Sequence, residues 1–145
     1  MIKKIKLTLI ILLILNFSNS LFADNHFFIE GGKKYIEKKY EESKFLFQRS
    51  IVLNPKDTNS YLYLAKIYNF EKNKKEEEKN INTVLLLDPV NEEAIYMLIE
   101  IEIKKSNYSR VKELTEKFSK ICKNLCEKKT FILESLRNLE PKNES

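Results

Sequence analysis

Cys122 and Cys126 are the residues of this chain best suited to chemistry, and they flank Lys123-Asn124-Leu125 near the end of 145 residues. In an oxidising compartment two such thiols pair as a disulfide. A bridge at this spacing is awkward inside an unbroken helix, because the side chains must face each other within narrow dihedral limits, so a turn is expected at Lys123-Asn124. Two other chemistries are open to the pair. Dithiol redox catalysis normally uses two intervening residues at a helix start in a strand-containing fold, and the chain shows neither. Soft-metal binding, copper above all, has no histidine or methionine close in sequence to complete the site. His26 is the single histidine, so Ser-His or Cys-His catalysis would rest on it alone. Gly31-Gly32 lacks the further glycine and the lysine of a phosphate-cradling loop. The reading is a protein that is not an enzyme and carries no cofactor or metal.

The elements that would position these groups are helices. Asn54-Pro55 and Asp88-Pro89 stand 34 residues apart, and residues at that offset form columns: Phe47, Ile81 and Thr115; Ser50, Val84 and Phe118; Leu53, Leu87 and Ile121; Tyr61 over Ile95; Leu64 over Leu98. Most columns stay apolar. Within a unit the apolar positions recur three and four apart, as in Tyr61, Leu64, Ala65 and Tyr68, which is the period of an amphipathic helix. Asn73 with Glu76 has the spacing of a helix start, while Pro55 and Pro89 fall just past helix ends, where a missing amide hydrogen does little harm. Seven helices are expected, over 26–38, 41–53, 58–71, 74–87, 92–105, 108–121 and 125–139. Asn124 with Glu127 would start the last one, carrying Leu125, Ile132, Leu136 and Leu139 inward as a cap. Closing so small a ring through Cys122 and Cys126 contributes about 2 kcal/mol, enough to fix the cap's angle rather than to hold the fold.

Tyr61-x-x-Leu64-Ala65-x-x-Tyr68 and Tyr40-Glu41-Glu42-Ser43-x-x-x-Phe47-x-x-Ser50-x-x-Leu53-Asn54-Pro55 resemble the two helix signatures of the tetratricopeptide repeat, a 34-residue antiparallel helix pair, over about residues 26–122. The resemblance implies an all-α, right-handed superhelical solenoid of about three hairpins, with repeats near 24–57, 58–91 and 92–123, a capping helix at 125–139 and a disordered tail at 141–145. Departures from the pattern are specific. Gly32 and Tyr35 match the small residue and the tyrosine only if one residue is missing before Tyr40, so the first helix or its turn is expected to be short. Glu77 stands where alanine is wanted, implying local splaying or a snorkelling side chain. The third unit has Glu102 in the tyrosine column, Val111 in the alanine column and Lys123 in place of proline.

In such arrays the first helix of each pair lines the concave face. The resemblance therefore nominates Ile29, Lys33 and Ile36, then Asn59, Leu62, Lys66, Asn69 and Phe70, then Glu93, Tyr96, Glu100 and Ile103 as a groove for a protein or peptide partner. The family's clamp for a terminal carboxylate needs Lys, Asn and Arg, and Ile29, Tyr63, Glu93 and Met97 occupy the relevant places here. Tails of cytosolic chaperones are therefore not the implied ligand.

Lys3, Lys4 and Lys6 head an apolar run from Leu7 to Leu15 interrupted only by Thr8, which reads as a secretory signal peptide, residues 1–23, cut after Ala23 or after Ser20. The run is shorter than the ~20 residues of a spanning helix. Its removal takes the basic count from 26 to 23 against 21 acids, and the formal charge from +5 to +2. Interspersed charges without a basic stripe exclude nucleic acid as the expected partner. The expectation is an exported, periplasmic adaptor with possible weak self-association. The alternatives are a signal-anchored accessory subunit at the inner membrane, or a copper- or thiol-handling protein using Cys122 and Cys126.

Overall fold

Turn chemistry sets the helix boundaries. The computed structural model describes residues 26–140, and every element in that span is a helix: α1 over 26–36, α2 Tyr40–Leu53, α3 Thr58–Phe70, α4 Lys74–Leu87, α5 Glu92–Lys104, α6 Tyr108–Ile121 and α7 Lys128–Leu139. The expected signal segment and the 141–145 tail lie outside the described residues. Each hairpin turns in the same way. Lys38, Lys72 and Ser106, spaced by 34 residues, have φ of 60°, 59° and 54°. At each, the left-handed residue donates its N–H to the carbonyl two positions before the C-cap, and the next residue donates to the carbonyl one position earlier: Lys72 to Asn69 at 3.0 Å, Asn73 to Tyr68 at 2.9 Å. This double closure satisfies carbonyls that a helix end leaves open. Asn73 and Asn107 then start the next helices by accepting the N–H groups of Glu76 and Arg110, and Asn91 does the same for Ala94 after the connection between hairpins.

The connections between hairpins repeat as well. Asn54 N–H donates to the Ser50 carbonyl, Asp88 N–H to that of Val84 and Cys122 N–H to that of Phe118. The Asn54 and Asp88 side chains next accept from Lys56 and Val90 N–H, giving a tight turn with the proline inside it. Cys122 occupies the third place in this column, so the cysteine ring replaces an Asx-Pro turn.

Two compact units divide the described residues, one ending at Ile67 and the other beginning at Tyr68. In the first, Gly31 lets α1 lie close against α2. A Cβ at Gly31 would stand 2.9 Å from Phe47 Cε1, and Ser43 Oγ donates to the Gly31 carbonyl at 2.8 Å. Phe47 is fully buried and stacks on Tyr63 with ring centroids 4.8 Å apart, while Tyr35 meets Tyr63 edge-on at 5.1 Å. The expected gap in this hairpin is not there. Because Lys38 and Lys72 are 34 apart, the small residue aligned with Ala65 is Gly31, not Gly32, and Gly32 faces open space.

In the second unit α4, α5, α6 and α7 pack in sequence around Ile81, Val84, Ile95, Ile99, Val111, Leu114, Phe118 and Ile132. Two columns exchange volume between hairpins: Gly31 accompanies Phe47 in the first, whereas Ile99 accompanies Thr115 in the third, and all four are buried. Volume-conserving exchange of this kind costs cores least. Glu77 neither splays nor snorkels. It is 4% exposed and accepts a hydrogen bond from Asn69 Nδ2, so burial is matched by a partner. Glu102 is handled likewise, accepting from Asn107 Nδ2 at 2.8 Å and pairing with Lys105 at 3.1 Å.

Candidate functional site

Repeat register defines a set of columns on the first helix of each hairpin, and several of their side chains lean on the partner helix: Phe28 lies 5.8 Å from the Phe47 ring and Tyr35 5.6 Å from that of Tyr40. Without a gap, Phe28, Gly32, Tyr35 and Ile36 share columns with Leu62, Lys66, Asn69 and Phe70, and the first three of those continue into Tyr96, Glu100 and Ile103. Ile29 and Lys33, nominated from sequence, fall one residue outside these columns and are both exposed. Phe28 and Tyr35 are the members of these columns that the sequence reading does not nominate. The signal that could have found them is the turn spacing, which carries no glycine to mark it.

Within the first unit the face is aromatic and partly closed. Phe28 lies 6.0 Å and Tyr35 5.1 Å from the Tyr63 ring, and the Lys66 ammonium sits 5.0 Å over the same ring. Leu62 is 7% exposed and belongs to the core, while Asn59 is exposed and Ile36 stands 82% exposed at the end of α1. In the second unit Phe70, which shares the column of Ile36, is 65% exposed, and Asn69 beside it is also exposed.

Along α5 in the second unit, Glu93, Tyr96, Glu100 and Ile103 are all half-buried. Tyr96 Oη donates to Glu100 Oε1 at 2.9 Å, its ring lies 6.1 Å from Phe118, and the Lys128 ammonium stands 5.9 Å over it. Burial, reinforced by the bond to Glu100, pushes the Tyr96 hydroxyl up to about 12.

The cysteine ring closes at the far end of the same unit. The Cys122 and Cys126 sulfurs are 2.18 Å apart and their Cα atoms 5.3 Å apart. Inside the ring the chain does not start a helix at Asn124, as the Asn124–Glu127 spacing suggested. Lys123 N–H donates to Glu92 Oε2 at 2.6 Å and Asn124 N–H to Glu92 Oε1 at 3.0 Å, so α7 begins only at Lys128. The bond from the Lys123 amide holds the Glu92 carboxyl below its ordinary range against the opposing effect of burial. Among the described residues no cluster of three or more His, Cys, Asp or Glu could hold a metal, and no helix is long and apolar enough to cross a membrane.

No protein-family model matches the chain, and no curated protein matches it either. Solved structures do match. The first tetratricopeptide domain of Spaghetti (RPAP3) bound to the HSP90 peptide SRMEEVD aligns with TM-score 0.70 and 16% identity, covering 80% of this chain and 94% of that one. The Yersinia enterocolitica type III secretion chaperone SycD, in complex with a peptide of the translocator YopD, gives 0.67 and 16% over 79% of this chain and 90% of that one. The Sgt2 tetratricopeptide domain from Aspergillus fumigatus gives 0.62 and 18%, over 84% and 87%. At these identities the likeness establishes the fold.

Proposed function

We propose that this chain of tetratricopeptide-repeat fold is a non-catalytic docking protein of the cell envelope, exported by residues 1–23 and seating a peptide segment of a partner protein on the first-helix faces of its hairpins. The observation that carries this reading is the exposure of Ile36 and Phe70, large apolar side chains kept in water at equivalent positions of consecutive hairpins. Two of the structural neighbours hold peptides, and their fold is the one seen here. Glu93 and Glu100 give α5 an acidic face, so the segment best suited to it is apolar with a lysine or arginine in register, not a free carboxyl terminus. Periplasmic residence accords with the bridged cysteines and with the basic, apolar leader.

The test uses Ile36→Glu and Phe70→Glu together, because both sites are exposed and the variant should keep its helical circular dichroism. Proteins crosslinked to the tagged wild-type chain in the envelope fraction are expected to be lost from the variant. Recovery of the same set with both chains would remove these faces from consideration. An intact N-terminal mass for the envelope-associated chain would overturn cleavage after Ala23 or Ser20.

A further inference from the structure

We propose that the Cys122–Cys126 ring and Glu92 form a redox-sensitive latch that holds the first turn of α7 over Tyr96. Four observations within the second unit converge on it. The Glu92 carboxylate grips two consecutive amides inside the ring, those of Lys123 and Asn124, from 31 and 32 residues away. Cys126, which closes the ring, stands two residues before α7. The first residue of α7, Lys128, places its ammonium over the Tyr96 ring. Apart from packing on α5 and α6 and the Lys129 ammonium, which donates to the Ser119 carbonyl at 3.2 Å, little fixes α7: Ile132 is its one buried side chain, its N-cap Glu127 makes no side-chain capping bond, and Phe131 and Leu133 are about half exposed. A helix with one buried side chain belongs to the low-stability end of a structure, so its position depends on the ring that tethers it.

Opening the latch needs a dithiol reductant. Its thiolate attacks one sulfur of the bridge to give a mixed disulfide, and its second thiol then displaces the protein sulfur. The reductant leaves as a disulfide, having given up two electrons and two protons, and Cys122 and Cys126 become thiols. The backbone between them is then no longer constrained to present the Lys123 and Asn124 amides to Glu92, and the turn carrying Lys128 is free to leave Tyr96. Oxidation closes the α5 face and reduction opens it. That gating consequence rests on the docking reading above, whereas the movement of α7 does not.

Hydrogen exchange of the whole chain, oxidised and after reduction by a phosphine, tests the latch with no partner present. Exchange over 127–139 is expected to quicken at least tenfold on reduction while 108–121 is unchanged. The ring signal of Tyr96, identified by its absence in Tyr96→Phe, is expected to shift. Oxidised Glu92→Gln should quicken 127–139 several-fold. Reduced protein with two alkylatable thiols but unchanged exchange over 127–139 would overturn the proposal, as would acceleration shared equally with 108–121, because the bridge would then hold the hairpin rather than α7. Unchanged exchange in Glu92→Gln would remove Glu92 from the device. A working latch beside a failed Ile36 and Phe70 test would separate the two readings.

Discussion

Lys72→Gly is expected to make the protein more stable, although glycine inside helices does the opposite. Lys72 closes α3 at φ 59°, and its N–H and that of Asn73 both bond back into the helix. An L-residue in that conformation is disfavoured by roughly 1–2 kcal/mol, which glycine avoids. Against this, glycine loosens the unfolded chain by about 0.4–1 kcal/mol. The net gain is about 0.5–1 kcal/mol, or roughly 2–5 °C in Tm for a domain of this size. The control is Lys117→Gly, an exposed position in the middle of α6 with helical backbone, which should lose about 1 kcal/mol. Because Lys38 and Ser106 occupy the same place in the other two hairpins, the triple glycine variant should gain about 2 kcal/mol if the turns act independently. Urea denaturation followed by circular dichroism reads all three. A Lys72→Gly midpoint lowered as far as that of Lys117→Gly would refute the assignment of a left-handed cap.

The adjacent glycines should respond in opposite directions to alanine. Gly32→Ala meets nothing within 4 Å and should gain about 1 kcal/mol of helix propensity, whereas in Gly31→Ala the same gain is outweighed by about 2 kcal/mol of overpacking as the methyl meets the Phe47 ring, a net loss of about 1 kcal/mol by thermal melts. Glu92→Gln should lower stability at neutral pH by about 1–2 kcal/mol, the difference between charge-assisted and neutral bonds to the Lys123 and Asn124 amides. Since the folded carboxyl titrates below its ordinary 4.5, the wild-type advantage is fully present above that pH and disappears as pH falls through the lower folded value. Urea melts of the two proteins at a series of pH values should therefore converge in acid; a constant difference would contradict the bond.

Helix content and most boundaries were legible because they follow from local signals: apolar spacing of three and four, Asn73 as an N-cap, and proline after Asn54 and Asp88. What failed was set by distant or unmarked contacts. Local spacing starts α7 at 125, whereas the helix begins at Lys128, since Asn124 gives its amide to a carboxylate 32 residues earlier and nothing in the local sequence announces this. The first hairpin appeared to lack a residue, since Gly32 and Tyr35 imitate the expected pair, while Lys38, Lys72 and Ser106 hide the turn under side chains that ordinarily avoid it. Glu77 looked like a fault in packing, and only the position of Asn69 shows how it is accommodated. Periodicity alone puts the nominated residues of α3 and α5 in shared columns. Leu62 was not distinguishable from an exposed neighbour, because the tilt of a helix against its partner decides which side of the stripe is covered.

The double closure of each hairpin bears on how such a chain meets proteases. With 26 lysines and arginines, it offers trypsin-like enzymes a cleavage site every few residues. Those enzymes need several residues drawn out in extended form, and at Lys38 and Lys72 the backbone is instead folded back by two bonds into the preceding helix. Cutting there has to wait for the turn to open, so the rate at which such enzymes nick the chain reports how often each hairpin comes undone.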